Sequence, residues 1–131
     1  MHEPKLRILI VDDDELILDA LRRQLHSRFD VSTVTGGKEA MSRVMSEGPF
    51  AAVVSDLRMP GMDGVTLLYL IRKAAPLTIR ILLSGKTDME AASAAVNDAS
   101  VFRLLSKPCP AGMLLRALDA AVKEYRLATT G

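Results

Sequence analysis

The sequence predicts an α/β domain built on a doubly wound parallel sheet, and three observations lead there. Short runs that are apolar on both faces recur five times along the chain, separated by longer segments with apolar residues at helical spacing. Runs of that kind suit parallel strands buried between two layers of helices. Several of them close on acidic, hydroxyl or basic residues, at the ends where an open parallel sheet presents its ligand edge.

The first strand is read as Leu6–Val11, closing on Asp12 and Asp13. The first helix sets Ile17, Leu18, Leu21 and Leu25 on one face and Arg22, Arg23 and Gln24 largely on the other, with Asp13 or Asp14 as its cap. Val31–Val34 follows, then a helix from about Lys38 whose stripe is Ala40, Met41, Val44 and Met45 and which Gly48-Pro49 stops. Ala51–Ser55 delivers Asp56. The third helix starts near Gly64, buries Leu67, Leu68 and Ile71, and ends at Ala75-Pro76. Ile79–Leu83 delivers Ser84.

The fourth helix, Asp88 to about Asp98, offers only Ala91, Ala92, Ala95 and Val96 as inward candidates. An alanine methyl contributes about a third or less of the roughly 1.5–3 kcal/mol of a buried leucine, so this helix is predicted to be loosely tethered. Val101–Leu105 leads to Lys107, and Pro110 suits the first turn of a fifth helix lined by Leu114, Leu118, Ala121, Val122 and Tyr125. Residues 5–127 form one domain in this reading, and Ala128-Thr129-Thr130-Gly131 a frayed tail or the start of a linker.

At 131 residues the chain can bury one sizeable core. A net charge of +1, no tryptophan and no basic run argue against direct nucleic-acid binding. No apolar run is long enough to span a membrane and no leader pattern opens the chain, so a cytoplasmic protein is expected. The one cysteine, Cys109, excludes an internal disulfide and fits a reducing compartment.

Strict β-α alternation implies right-handed crossovers, so the strand ends gather Asp12, Asp13, Asp56, Ser84 and the residues after Leu105. Carboxylates within about 4–6 Å of one another repel, and a cation among them relieves the repulsion. Mg²⁺ takes octahedral oxygen ligands and typically one or two carboxylates plus a phosphate oxygen. Helix capping explains one acid but not three acids at two strand ends. Beside a metal, Asp56 is a candidate nucleophile toward phosphorus. Ser84 could donate to a phosphoryl oxygen, and Lys107 supplies a point charge for phosphate. Taken alone, a serine there is a turn residue and a lysine a solvated surface charge.

In this order, Ile-Leu-Ile-Val-Asp-Asp-Asp at 8–14, Asp-Leu-Arg-Met-Pro-Gly-Met-Asp-Gly at 56–64, Leu-Leu-Ser-Gly at 82–85 and Lys-Pro at 107–108 resemble a bacterial two-component response-regulator receiver domain of the chemotaxis-regulator type. The resemblance covers about residues 5 to 127. It implies a flavodoxin-like five-stranded parallel sheet of order 2-1-3-4-5 with five helices. It further implies Asp56 as phospho-acceptor, with Mg²⁺ held by Asp12, Asp13, Asp56 and the carbonyl of Arg58. Ser84 would be the switch hydroxyl and Lys107 the phosphate-pairing lysine, its bond to Pro108 cis. The implied partners are a sensor histidine kinase or phosphotransfer protein and an output domain or protein. The output surface would be the fourth helix, fifth strand and fifth helix, which could also pair two copies. The chain would be a phospho-accepting signalling domain rather than an enzyme.

The match loosens three residues before the lysine, where receivers carry Phe or Tyr and this chain has Leu104. Phe102 is expected on the same strand face by period-two geometry, either as a substitute or as packing. Arg58 and Lys86 could shield an acyl phosphate or be solvated charges. His2 and His26 are poor catalytic candidates, and Met41, Met45, Met59 and Met62 read as filler. A pseudo-receiver scaffold and an aspartate-nucleophile phosphatase are the competing functions. The phosphatase needs an acid two residues after Asp56, where Arg58 stands.

Overall fold

The structure, a computed structural model, describes residues 4–130, apart from the side chain of Ala95. Five strands alternate with five helices: β1 Arg7–Val11, α1 Glu15–Leu25, β2 Asp30–Val34, α2 Gly37–Glu47, β3 Ala52–Asp56, α3 Gly64–Ala74, β4 Ile79–Gly85, α4 Met89–Ala99, β5 Arg103–Lys107 and α5 Ala111–Thr130. A single 3-10 turn, Lys86–Asp88, joins β4 to α4. All strand pairs are parallel, in the order β2-β1-β3-β4-β5. This is the flavodoxin-like arrangement expected. Among the described residues no helix is long and apolar enough to cross a membrane.

Alternate strand residues feed two cores, as the pleat requires. Ile8, Ile10, Val54, Ile81 and Leu83 pack under α1 and α5 against Leu18, Leu25, Leu114 and Leu118. Leu9, Val11, Val53 and Leu82 pack on the other side against Val44 of α2, Leu67, Leu68 and Ile71 of α3, and Ala92 of α4. The register then aligns the carboxyl ends of the strands. Val11 lies beside Val34 and Ser55, Asp56 beside Leu83, and Gly85 beside Lys107. Helix starts are fixed locally: Asp14, rather than Asp13, caps α1 by accepting from Leu16 N at 2.9 Å, and Asp63 caps α3 by accepting from Thr66 N at 2.8 Å.

Several expectations are corrected. Phe102 does not share a face with Leu104: β5 begins at Arg103, one residue after Phe102, so strand alternation does not reach it. Phe102 packs with the α1/α5 core and Leu104 with the opposite one. The Phe102 N–H instead donates to the Arg80 carbonyl at 2.8 Å, and the Arg103 guanidinium lies 4.1 Å from the ring centre. Met45 and Ala91 face solvent because they fall just outside the buried arc of their helices, while Ala99 completes the inner face of α4. The expected inward side of Ala95, like His2, lies outside the described residues. Ala128–Thr130 are helical rather than frayed. The Thr129 hydroxyl donates to the Tyr125 carbonyl and the Thr130 hydroxyl to that of Arg126, both at 2.8 Å, tying the last turn back to α5.

Gly64 is where α3 meets the end of β3. A Cβ there would stand 2.3 Å from the Asp56 carbonyl oxygen and 2.9 Å from Leu82 Cδ1. Gly64→Ala is therefore expected to destabilise by about 1–3 kcal/mol in denaturant unfolding. Gly112→Ala, on an open surface of α5, should leave stability unchanged or raise it by up to about 1 kcal/mol. Equal effects would contradict the close packing of α3 on the strand.

Candidate functional site

β1 and β3 are neighbours, so the acids that close them meet. Oxygens of Asp12, Asp13 and Asp56 all lie within 4.8 Å of one another. Asp12 and Asp56 are buried, and Asp13 is exposed at the mouth. Asp12 is fixed from below, where its Oδ1 accepts from the Asp14 N–H at 2.9 Å. The Asp56 backbone is equally fixed: its carbonyl accepts from the Ser55 hydroxyl at 2.9 Å, and Leu57 N–H donates to the Leu83 carbonyl at 2.9 Å.

Lys107 reaches this group from the last strand, across β4 and β3. Its Nζ stands 3.3 Å from Asp12 Oδ2 and 3.3 Å from Asp56 Oδ2. One ammonium thus bridges two buried carboxylates. Burial pushes the Asp56 carboxyl above its ordinary value, Lys107 pulls it back, and Asp12 and Asp13 push it up again, leaving it raised. For Lys107, burial acts downward, and the charges of Asp12 and Asp56 outweigh it, so the ammonium is held above its ordinary range. Both directions describe a site with more negative charge than its own cation offsets.

Ser84 is fully buried, within β4 and beside Ser106. Its hydroxyl donates to the Gly85 carbonyl at 3.1 Å rather than to the acids. The Arg58 side chain is turned away from the pocket: its Nη2 stands 2.7 Å from Asp88 Oδ1, in the turn that precedes α4. That pair draws the Asp88 carboxyl down and the Arg58 guanidinium up. Asp88 is the one participant near the site that motif reading treats only as a helix start. Its partner is 30 residues away, and nothing local marks the pair. Lys86 is exposed.

Residues 8–119 match the family described as "Response regulator receiver domain". A hydrogenase transcriptional regulatory protein, HoxA, of Cupriavidus necator is 36% identical over 97% of this chain and 26% of its own length. The chain therefore spans about a quarter of the length of this curated relative. Among solved structures, one titled as an adenylate cyclase from Rhodopirellula baltica superposes with a TM-score of 0.92 at 38% identity, covering 96% of this chain and 93% of that one. The signal receiver domain of an HD domain-containing protein from Pseudomonas fluorescens Pf-5 does so at 0.88 and 31%, over 98% and 94% of the two chains.

The raised Asp56 carboxyl has a signed consequence. Folding disfavours its ionised form, so the stability it lends is present below the unfolded value of 3.8 and is lost as pH rises through the raised folded value. In metal-free protein at neutral pH, Asp56→Asn is expected to raise the unfolding temperature, with Lys107 still paired to Asp12. The gain should shrink as pH falls through the Asp56 range. Thermal unfolding at several pH values reads this, and a destabilised Asn variant at neutral pH would contradict it.

Proposed function

The chain belongs to the response regulator receiver domain family of two-component signalling, and on that premise we propose that Asp56 accepts a phosphoryl group from the phosphohistidine of a sensor kinase or phosphotransfer protein. The observation that carries the proposal is the pairing of three clustered carboxylates with a single ammonium that bridges Asp12 and Asp56. A purely structural site gains nothing from that surplus of negative charge. A site that takes up a cation and a phosphate does.

In the transfer, an Asp56 carboxylate oxygen attacks phosphorus, a P–O bond forms, and the donor's P–N bond breaks with its electron pair passing to the imidazole nitrogen. The product is an acyl phosphate. Lys107, already 3.3 Å from Asp56 Oδ2, needs only a small shift to pair with the new phosphoryl charge. Ser84 reaches a phosphoryl oxygen by exchanging its bond to the Gly85 carbonyl, a change of one side-chain rotamer. Both adjustments follow the added charge and bias the surface of α4, β5 and α5, which is where the output contact is placed.

The acidic group fits Mg²⁺. Its donors are all carboxylate oxygens within 4.8 Å of one another, the ligand type a hard divalent cation takes. Asp12, Asp13 and Asp56 would hold the ion together with the carbonyl of Arg58. When bound it supplies charge neutralisation for the acids and the incoming phosphate.

Receiver domains are signalling domains, and the output here is proposed to lie in other segments or another protein. The transcriptional, cyclase and HD-domain relatives show how varied the proteins carrying such a domain are by name. A phosphatase reading finds no support, since the residue two after Asp56 is Arg58, paired outward with Asp88. Incubation with Mg²⁺ and a small acyl-phosphate donor is expected to add one phosphate by intact mass. The adduct should vanish in Asp56→Asn and with chelator, and its yield should fall at least about tenfold in Lys107→Ala. Unchanged labelling of Asp56→Asn would refute the assignment.

A further inference from the structure

Helix α4 has little apolar surface to hold it. Among its described residues the buried side chains are Ala92 and Ala99, with Met89 and Val96 half-buried, and its last turn carries no basic residue. It is gripped instead at both ends by arginines of other elements, and the two grips differ in kind.

At the carboxyl end the grip is buried. Arg80 of β4, 8% exposed, donates through Nε to the Ala99 carbonyl at 2.9 Å and through Nη2 to that of Ser100 at 3.4 Å. Its Nη1 holds the Thr78 carbonyl at 2.7 Å and the Pro76 carbonyl at 3.4 Å. Arg72 of α3 donates to the Asp98 carbonyl at 2.9 Å. The last carbonyls of a helix lack partners within it and carry the negative end of its dipole, so this is where a guanidinium without a carboxylate can be buried. The same end holds Ser100 at φ 49°, a left-handed conformation that a non-glycine residue keeps only where its surroundings enforce it.

At the amino end the grip is the Arg58–Asp88 ion pair, with the Arg58 side chain 72% exposed. It ties the loop that follows Asp56 to the turn that opens α4. Exposed pairs of this type are weak and are screened by salt.

We propose that α4 is a lever whose pivot is Arg80 and whose latch is the Arg58–Asp88 pair. When the latch opens, the amino end moves while the carboxyl end stays in place. That a phosphoryl group on Asp56 draws Arg58 away rests on the function proposed above, whereas the latch and the pivot do not depend on it.

Amide hydrogen exchange on the full chain, without donor or Mg²⁺, tests the device. Asp88→Asn and Arg58→Gln should each speed exchange over residues 89–93 by roughly two- to fivefold, the double variant no more than either single one. Salt at about 1 M should do the same to the wild type and leave the variants unchanged. Exchange over residues 97–101 should stay constant in all of these. Arg80→Lys, which keeps the charge but loses the planar fork, should speed exchange over 97–101. Ser100→Gly, which relieves the left-handed strain, should slow it and leave 89–93 alone. Uniform acceleration along α4 in Asp88→Asn would overturn the pivot, and no acceleration at 89–93 would overturn the latch. Phosphate uptake is scored separately by mass. Its failure in the wild type overturns the role of Asp56, while uptake with unchanged exchange in both latch variants overturns the latch.

Discussion

Three carboxylates that repel one another crowd the carboxyl edge of the sheet, where one ammonium bridges two of them, and the parallel register is what forces them together. β1 and β3 lie side by side and in step, so Asp12, Asp13 and Asp56 cannot separate without breaking the ladder. Lys107 arrives from the far side because β5 ends level with β4. Such a concentration of charge works against folding, and the apolar layers above and below the sheet offset it. Local stability is given up at this edge, where the proposed function places the phosphoryl group and its cation.

The periphery of the site is built from weaker parts than its floor. The Asp12 carboxylate is held by the Asp14 N–H and the Asp56 carbonyl by the Ser55 hydroxyl, while the Ser84 hydroxyl and the Arg58 guanidinium rest on partners that can be exchanged. α4 follows the same division, fastened deeply at one end and lightly at the other. Segments that move in signalling are drawn from the least stable elements of a fold, and α4 buries alanines where α3 buries leucines.

Much of this was legible in the chain. Apolar runs marked all five strands to within a residue or two, and each site acid stood out because it closes such a run. The stripes of α1, α3 and α5 were readable because leucine, isoleucine and valine recur there at helical spacing. What escaped were contacts set by tertiary placement. Phe102 looked like a strand residue, yet the chain bends before Arg103 and sends its ring to the other core. Arg80 sits in an apolar run with no acid nearby in sequence, and its carbonyl partners lie in loops and at the end of α4. Asp88 pairs with Arg58 across two loops. Threonine-rich residues after Leu127 suggested fraying, but their hydroxyls bond back to α5 carbonyls.

The most direct test of the shared-charge site is the carboxylate resonance of Asp56, followed by NMR through a pH titration with and without Mg²⁺. Without metal, Asp56 is expected to titrate above the ordinary aspartate value of 3.8, and higher still in Lys107→Met. Saturating Mg²⁺ should bring it down in both. An Asp56 that titrates as a free aspartate and ignores the ion and the lysine alike would contradict a pocket in which these groups share one field.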